Sequence, residues 1–125
     1  MKRGAADKIA GILFGIKLNT ISDKVVKNTM LKNYLALRKV AKELAEEQTE
    51  LVEKFNEDWK DSKDEKSNEY RTALKDLDNA IKTMLEREVE VDITPVGMDA
   101  FMANVKDESL TFEQIAILSE NGILN

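Results

Sequence analysis

Met30, Tyr34, Leu37, Ala41, Leu44, Gln48, Leu51 and Phe55 follow one another at alternating steps of four and three, apolar at every step but Gln48. Only a helix brings such positions into one line, and this rhythm is that of a heptad seam. The residues between them, among them Lys32, Lys39, Lys42, Glu43, Glu46 and Glu53, are charged, so the helix has one dry edge. Ser22 is the expected N-cap, with Asp23 in the first turn, where the helix dipole favours an anion. From there the helix runs to about Trp59, a rod of about 57 Å at 1.5 Å per residue. Tyr34 and Trp59 are expected to lie with their polar tips at the edge of the core.

A second seam follows. Tyr70, Leu74, Leu77, Ile81 and Met84 repeat the rhythm within a helix expected over 69–88. Between the two helices, residues 58–68 are polar and lack an apolar stripe, as a turn requires. Two seams of one period joined by a short polar turn predict an antiparallel helical hairpin. The returning helix covers only part of its partner. Residues 25–37 therefore need cover from the N-terminal helix, the C-terminal segment or another subunit.

Upstream, residues 5–17 predict a short helix with Ala6, Ile9, Ala10, Leu13, Phe14 and Ile16 as its apolar set. Gly11 and Gly15 form a small-xxx-small pair, read here as a glycine-tolerant helix tucked against the long one. A break follows at 17–21. Downstream, Val89, Val91 and Ile93 alternate with Glu90 and Asp92, the rhythm of a strand, which Pro95 and Gly97 end. Such a strand needs a partner, either the extended residues near Leu18 or another chain. Residues 98–105 predict a short helix. Thr111 with Gln114 is a capping box opening a last helix over 112–119, and Asn121-Gly122 closes it. Leu110, Phe112, Ile115, Leu118, Ile123 and Leu124 are too apolar for a loose tail, so this end should dock. The fold class is mainly α: a long antiparallel helical hairpin (22–88) with a short N-terminal helix and break (1–21). One short strand and small helices follow (89–125), and the whole forms one domain over 1–125.

Composition narrows the chemistry. The chain contains neither cysteine nor histidine, which removes disulfides, zinc-thiolate sites, thiol nucleophiles and the commonest general base. No apolar run approaches the length of a membrane span. Lys2 and Arg3 precede the apolar run 9–16, but Asp7 and Lys8 interrupt that approach and no small-x-small cleavage site follows, so no secretion signal is expected. Net charge is −5, yet residues 1–42 hold ten Lys/Arg against two acids, and 43–125 hold nine against twenty-two. The molecule should have a basic end and an acidic end, which are either no more than solvated helix faces, the simpler reading, or a field able to orient a partner or a second copy. A calcium loop over 58–69 fails at its third and sixth positions, Lys60 and Lys63. Glu43, Glu46, Glu47 and Glu50, with Asp76 and Asp78, supply the residue types of an all-helical magnesium-dependent nucleotide pyrophosphohydrolase. On the seam, though, only Glu47 flanks the partner helix, and divergent carboxylates cannot share an ion. Lys24, Lys32, Arg38, Lys39 and Lys42 supply a stripe suited to phosphates, but the only aromatic among them is Tyr34, on the buried edge, so nucleic acid is the weaker reading. The residues favoured for partner binding are Val25, Val26, Met30, Lys32, Arg38, Lys39 and Lys42. No catalytic residue, cofactor or metal ligand is assigned.

The run LKNYLALRKVAKELAEEQTELVEKFNED, the returning helix ending EREVEVDI and the closing LTFEQIAIL together resemble small helical-hairpin proteins encoded by bacteriophages and prophages. In these a basic helix leads into an acidic stretch ending near an L-x-x-K-(F/Y) element, here Leu51 and Lys54-Phe55. The likeness extends over about residues 7–120. This chain has Asn19-Thr20 where such proteins commonly carry a proline. The resemblance implies no enzymatic activity. It implies a viral origin and a role in the host cytoplasm or the virion, as a particle component or assembly factor. The rival readings are an inhibitor of a host defence or nucleic-acid enzyme acting through the acidic surface, and the nucleotide hydrolase above.

Overall fold

The computed structural model describes residues 1–61, 67–105 and 109–125. Five α-helices lie among them: α1 (Arg3–Gly15), α2 (Lys24–Trp59), α3 (Asn68–Glu86), α4 (Met98–Asn104) and α5 (Phe112–Glu120), with a 3-10 turn at Leu18–Thr20. The long rod is α2, 36 residues or about 54 Å. Its start is set one residue beyond the expected cap. Asp23, not Ser22, is the N-cap, and its Oδ1 accepts from the backbone N–H groups of Val25 (2.9 Å) and Val26 (3.1 Å). Ser22 instead donates to Asn104 Oδ1 at the end of α4, as does the N–H of Asp23.

The buried line of α2 is Val26, Met30, Asn33, Leu37, Val40 and Leu44, again at steps of four and three. It shares Met30, Leu37 and Leu44 with the expected seam. Elsewhere it departs: Asn33 and Val40 are buried where Tyr34 and Ala41 are only half-buried, and Gln48 is exposed. The reason is the neighbour. Over this half α2 packs on α1 and not on α3, so the centre of the buried arc moves. On α1 the buried set is Arg3, Ala6, Ile9, Ala10, Ile12 and Leu13. Phe14, expected inside, is 78% exposed, and Gly11 and Gly15 sit on the exposed side, where a Cβ on either would have nothing within 4 Å. The close approach belongs to Gly4, where a Cβ would stand 3.2 Å from the Leu85 carbonyl oxygen and 3.4 Å from Leu85 Cβ.

Both shorter helices run opposite to α2. Ile16 and Ile21 close the turn from α1 into α2, and Arg3, at the other end of α1, reaches Glu47. Tyr70, early in α3, packs on Phe55 (ring centroids 5.7 Å) and edge-on to Trp59 (5.3 Å), whereas Thr83, Met84 and Arg87 face Glu47 and Leu51. Thus α3 covers the distal part of α2, α1 covers the proximal part, and the two meet beside Glu47. At about 28 Å and 20 Å, the 19 residues of α3 and 13 of α1 nearly account for the length of the rod. The turn expected at 58–68 and the calcium-loop likeness fall partly on 62–66, which lie outside the described residues. Ser67 caps α3, its Oγ accepting from Tyr70 N–H at 3.1 Å.

The expected strand over 89–93 is replaced by an irregular segment; no strand occurs among the described residues. The alternation still operates: Val89, Val91 and Ile93 are half-buried while Glu90 and Asp92 are exposed. What is missing is a neighbouring strand, because the segment lies on helices. Its backbone is satisfied at separate points. Val89 N–H donates to Met1 O at 2.8 Å beside an isolated Lys2–Glu88 bridge. Asn33 takes both groups of Thr94, its Nδ2 donating to Thr94 O (2.8 Å) and its Oδ1 accepting from Thr94 N–H (3.0 Å). Further on, Val96 N–H donates to Ile123 O and Asn125 N–H to Val96 O, an isolated parallel bridge.

The C-terminal end docks, with Phe101, Val105, Leu118, Ile123 and Leu124 joining Ile9, Leu13, Met30 and Leu37 in one core. Thr111 and Gln114 form the expected capping box. Gly122, at φ 77°, ends α5, and Ile123 N–H reaches back to Leu118 O (2.9 Å) while Gly122 N–H reaches Ser119 O, a Schellman closure that a residue with a Cβ disfavours. Phe112 does not join the core; it is 92% exposed. No helix among the described residues is long and apolar enough to cross a membrane.

Asn33→Ala leaves the part-buried N–H and C=O of Thr94 without their side-chain partner and should lower unfolding free energy by about 1–3 kcal/mol in urea titration. Gly11→Ala should raise stability by about 0.5–1 kcal/mol, since helix propensity improves and nothing obstructs the methyl group. Gly4→Ala, pressed on Leu85, should fall short of that gain in the same titration.

Candidate interaction surface

The residues favoured from sequence are divided by the fold. Val26 and Met30 lie in the core, which corrects their assignment as partner contacts: of the three covers expected for this stretch, α1 and the C-terminal segment provide it. Val25, Lys32, Arg38, Lys39 and Lys42 are exposed. With Lys24 they spread over the side of α2 that faces away from α1 and α3. Two residues not singled out from sequence lie among them: Leu31, 42% exposed, and Leu35, 51% exposed. A helical wheel finds them, since at 100° per residue both fall opposite the Val26–Leu44 line.

The electrostatics of this face are uniform. From Lys24 to Lys42 the helix contains six cations and no acid. Among the described residues none of those cations is within ion-pair distance of a carboxylate; the side-chain pairs found are Arg3–Glu47 and Lys60–Glu57. Beyond Lys42 the sign reverses. From Glu43 to Asp58 seven acids stand against Lys54 alone.

The acids weighed as magnesium ligands do not converge. Arg3 Nη1 donates to Glu47 Oε2 at 2.8 Å, with the guanidinium buried and the carboxylate about half exposed. The hydrogen bond from Arg3 holds the Glu47 carboxyl below the ordinary glutamate value of 4.5, against the opposing effect of desolvation, with the charges of Arg3 and Arg87 adding to it. Glu47 in turn raises the pKa of Arg3. Glu43, Glu46, Glu50, Asp76 and Asp78 are all exposed, and no group of three or more potential metal ligands occurs among the described residues. Sequence reasoning missed Arg3 as the partner of Glu47 because the two are 44 positions apart.

Beside this pair a groove of about 560 Å³ opens between α2 and α3, floored by Leu51, Ala80 and Met84 and rimmed by Glu47, Glu50, Lys54 and Arg87. Its rim mixes both signs. Two exposed aromatic rings, Phe14 on α1 and Phe112 at the start of α5, also project from the surface. Comparison with protein-family models, with curated proteins and with solved structures finds no match.

The Arg3–Glu47 pair makes stability pH-dependent with a definite sign. A depressed carboxyl pKa contributes fully above the ordinary glutamate value and is lost as pH falls through the folded-state value. The stability advantage of the wild type over Glu47→Gln should therefore be largest near neutral pH and shrink on acidification below 4.5. Chemical denaturation of both proteins across that range measures it, and a constant difference would contradict the assignment.

Proposed function

We propose that this chain is a non-catalytic helical interaction protein of bacteriophage type, a virion component or assembly factor. In this reading it works through the outer face of α2. The observation that carries it is the row Lys24, Lys32, Arg38, Lys39 and Lys42, exposed and without carboxylate partners among the described residues, around the exposed Leu31 and Leu35. A surface of one sign steers an oppositely charged partner and fixes its orientation, while exposed leucines supply the apolar contact that long-range charge does not. The partner chemistry that fits is an acidic amphipathic helix. The viral setting rests on the resemblance of the long-helix, EREVEVDI and LTFEQIAIL stretches to phage and prophage proteins. The nucleotide-hydrolase reading is disfavoured by Glu47, which is engaged by Arg3, and by the divergence of the other acids.

The test is cosedimentation of the purified protein with particles of the phage or induced prophage that encodes it. Wild type should bind, and Lys32→Glu/Lys39→Glu should weaken binding by about tenfold or more, with wild-type binding itself falling as salt rises. Equal binding by the variant would overturn the assignment of this face. Magnesium-dependent release of pyrophosphate from nucleotides, abolished by Glu47→Gln, would overturn the non-catalytic reading.

A further inference from the structure

The outer face of α2 has a register of its own. Leu31, Leu35, Arg38, Lys42, Ala45 and Thr49 are separated by steps of four, three, four, three and four, and all six are exposed. One helix thus carries two heptad lines on opposite sides: the inner one is covered by the protein's own helices and the outer one is bare. The outer line passes through both electrostatic halves of the rod, basic up to Lys42 and acidic from Glu43.

We infer that the acidic helix recognised by this face is the α2 of a second copy, packed antiparallel across a two-fold axis. This rests on reading the outer face as an interaction surface and names its partner. Charge complementarity and symmetry together select the arrangement. A parallel pair sets the basic half on the basic half, whereas an antiparallel pair sets basic on acidic twice over, because a two-fold interface repeats every contact. With the axis between Lys42 and Ala45, Leu35 lies opposite Val52 of the second copy, Arg38 opposite Thr49 and Lys42 opposite Ala45. Leu35 then meets an apolar residue, the long cations Arg38 and Lys42 meet the small Thr49 and Ala45, and Leu31 falls opposite Asn56. In the same register Lys42 neighbours Glu46 of the second copy, and Arg38 neighbours Glu50. Both acids are exposed and without ion-pair partners among the described residues. Neither α1 nor α3 obstructs the approach, since both lie on the inner side of the rod.

Light scattering of the full chain across salt concentrations tests this. In low salt the mass should be twice 14.2 kDa, returning to the single-chain value as molar salt screens the pairs. Leu35→Glu should raise the dimer dissociation constant by about tenfold or more, while circular dichroism shows helicity kept, since Leu35 makes no part of the core. Direction is read by a short bis-maleimide on single cysteines introduced into this cysteine-free chain. Ala45→Cys, near the axis, should cross-link two copies. Asn28→Cys, about 46 Å from its counterpart along antiparallel rods, should not. A single-chain mass in low salt, a dimer unaffected by Leu35→Glu, or cross-linking at Asn28 would overturn the inference. A single-chain mass together with particle binding that Lys32→Glu/Lys39→Glu weakens would overturn self-pairing alone and leave the proposed function standing. A dimer that does not bind particles would do the reverse.

Discussion

A rod of about 54 Å cannot be buried by any other single element of this chain, and the architecture answers that constraint. The inner line of α2 is apolar apart from Asn33, and water must be kept from it along most of its length. Two helices of about half that length or less, α1 and α3, are laid along it, both opposite in direction to α2. Their junction is fixed by contacts of different kinds. Gly4 lets α1 approach Leu85, Arg3 N–H donates to Arg87 O (2.9 Å), and the Arg3 side chain crosses to Glu47. Any larger side chain at Gly4 would press on the Leu85 backbone, so the small residue and the ion pair occur together where α1, α2 and α3 meet.

Asn33 plays the corresponding part in the other half. A polar residue in a buried seam is costly unless its amide is fully engaged. Here both ends of the amide are taken by Thr94, which turns a residue unfavourable to the core into the clamp that holds 89–97 on α2. That clamp explains how the segment dispenses with a sheet. Its alternating side chains bury one face on helices, and its backbone is met by Met1, Asn33 and the Ile123–Asn125 end in turn. The C-terminal helices are held over the same core by burial of Phe101, Leu118, Ile123 and Leu124, while the capping box at Thr111 and the Gly122 closure fix the two ends of α5.

Charge is divided between structure and surface. Arg3, buried on α1, has a carboxylate, whereas the cations of the outer face have none among the described residues. Burial of a guanidinium without a partner would be prohibitive, and Glu47 supplies the carboxylate that Arg3 needs. The exposed cations carry no such penalty in water, and in the role proposed above their alignment with Leu31 and Leu35 supplies both range and grip for an acidic helix.

The sequence by itself determined the helices, the seam rhythm, the capping box at Thr111, the glycine stop at Gly122 and the division of charge at Lys42. Each depends on residues within a few positions of one another, where helical spacing and capping chemistry act directly. Met30, Leu37 and Leu44 were legible as core for the same reason. The tertiary structure decided which helix covers which stretch of α2, and hence that Asn33 and Val40 go inside, Tyr34 stops at the edge of the core and Phe14 stays out. It decided that Val26 and Met30 are closed to partners and that Leu31 and Leu35 are open. It paired Arg3 with Glu47 and Asn33 with Thr94 across 44 and 61 positions. Periodicity gives the width of an apolar stripe but not the neighbour that lies on it, and the choice between 89–93 as strand or as strap depends on whether a strand or a helix stands beside it.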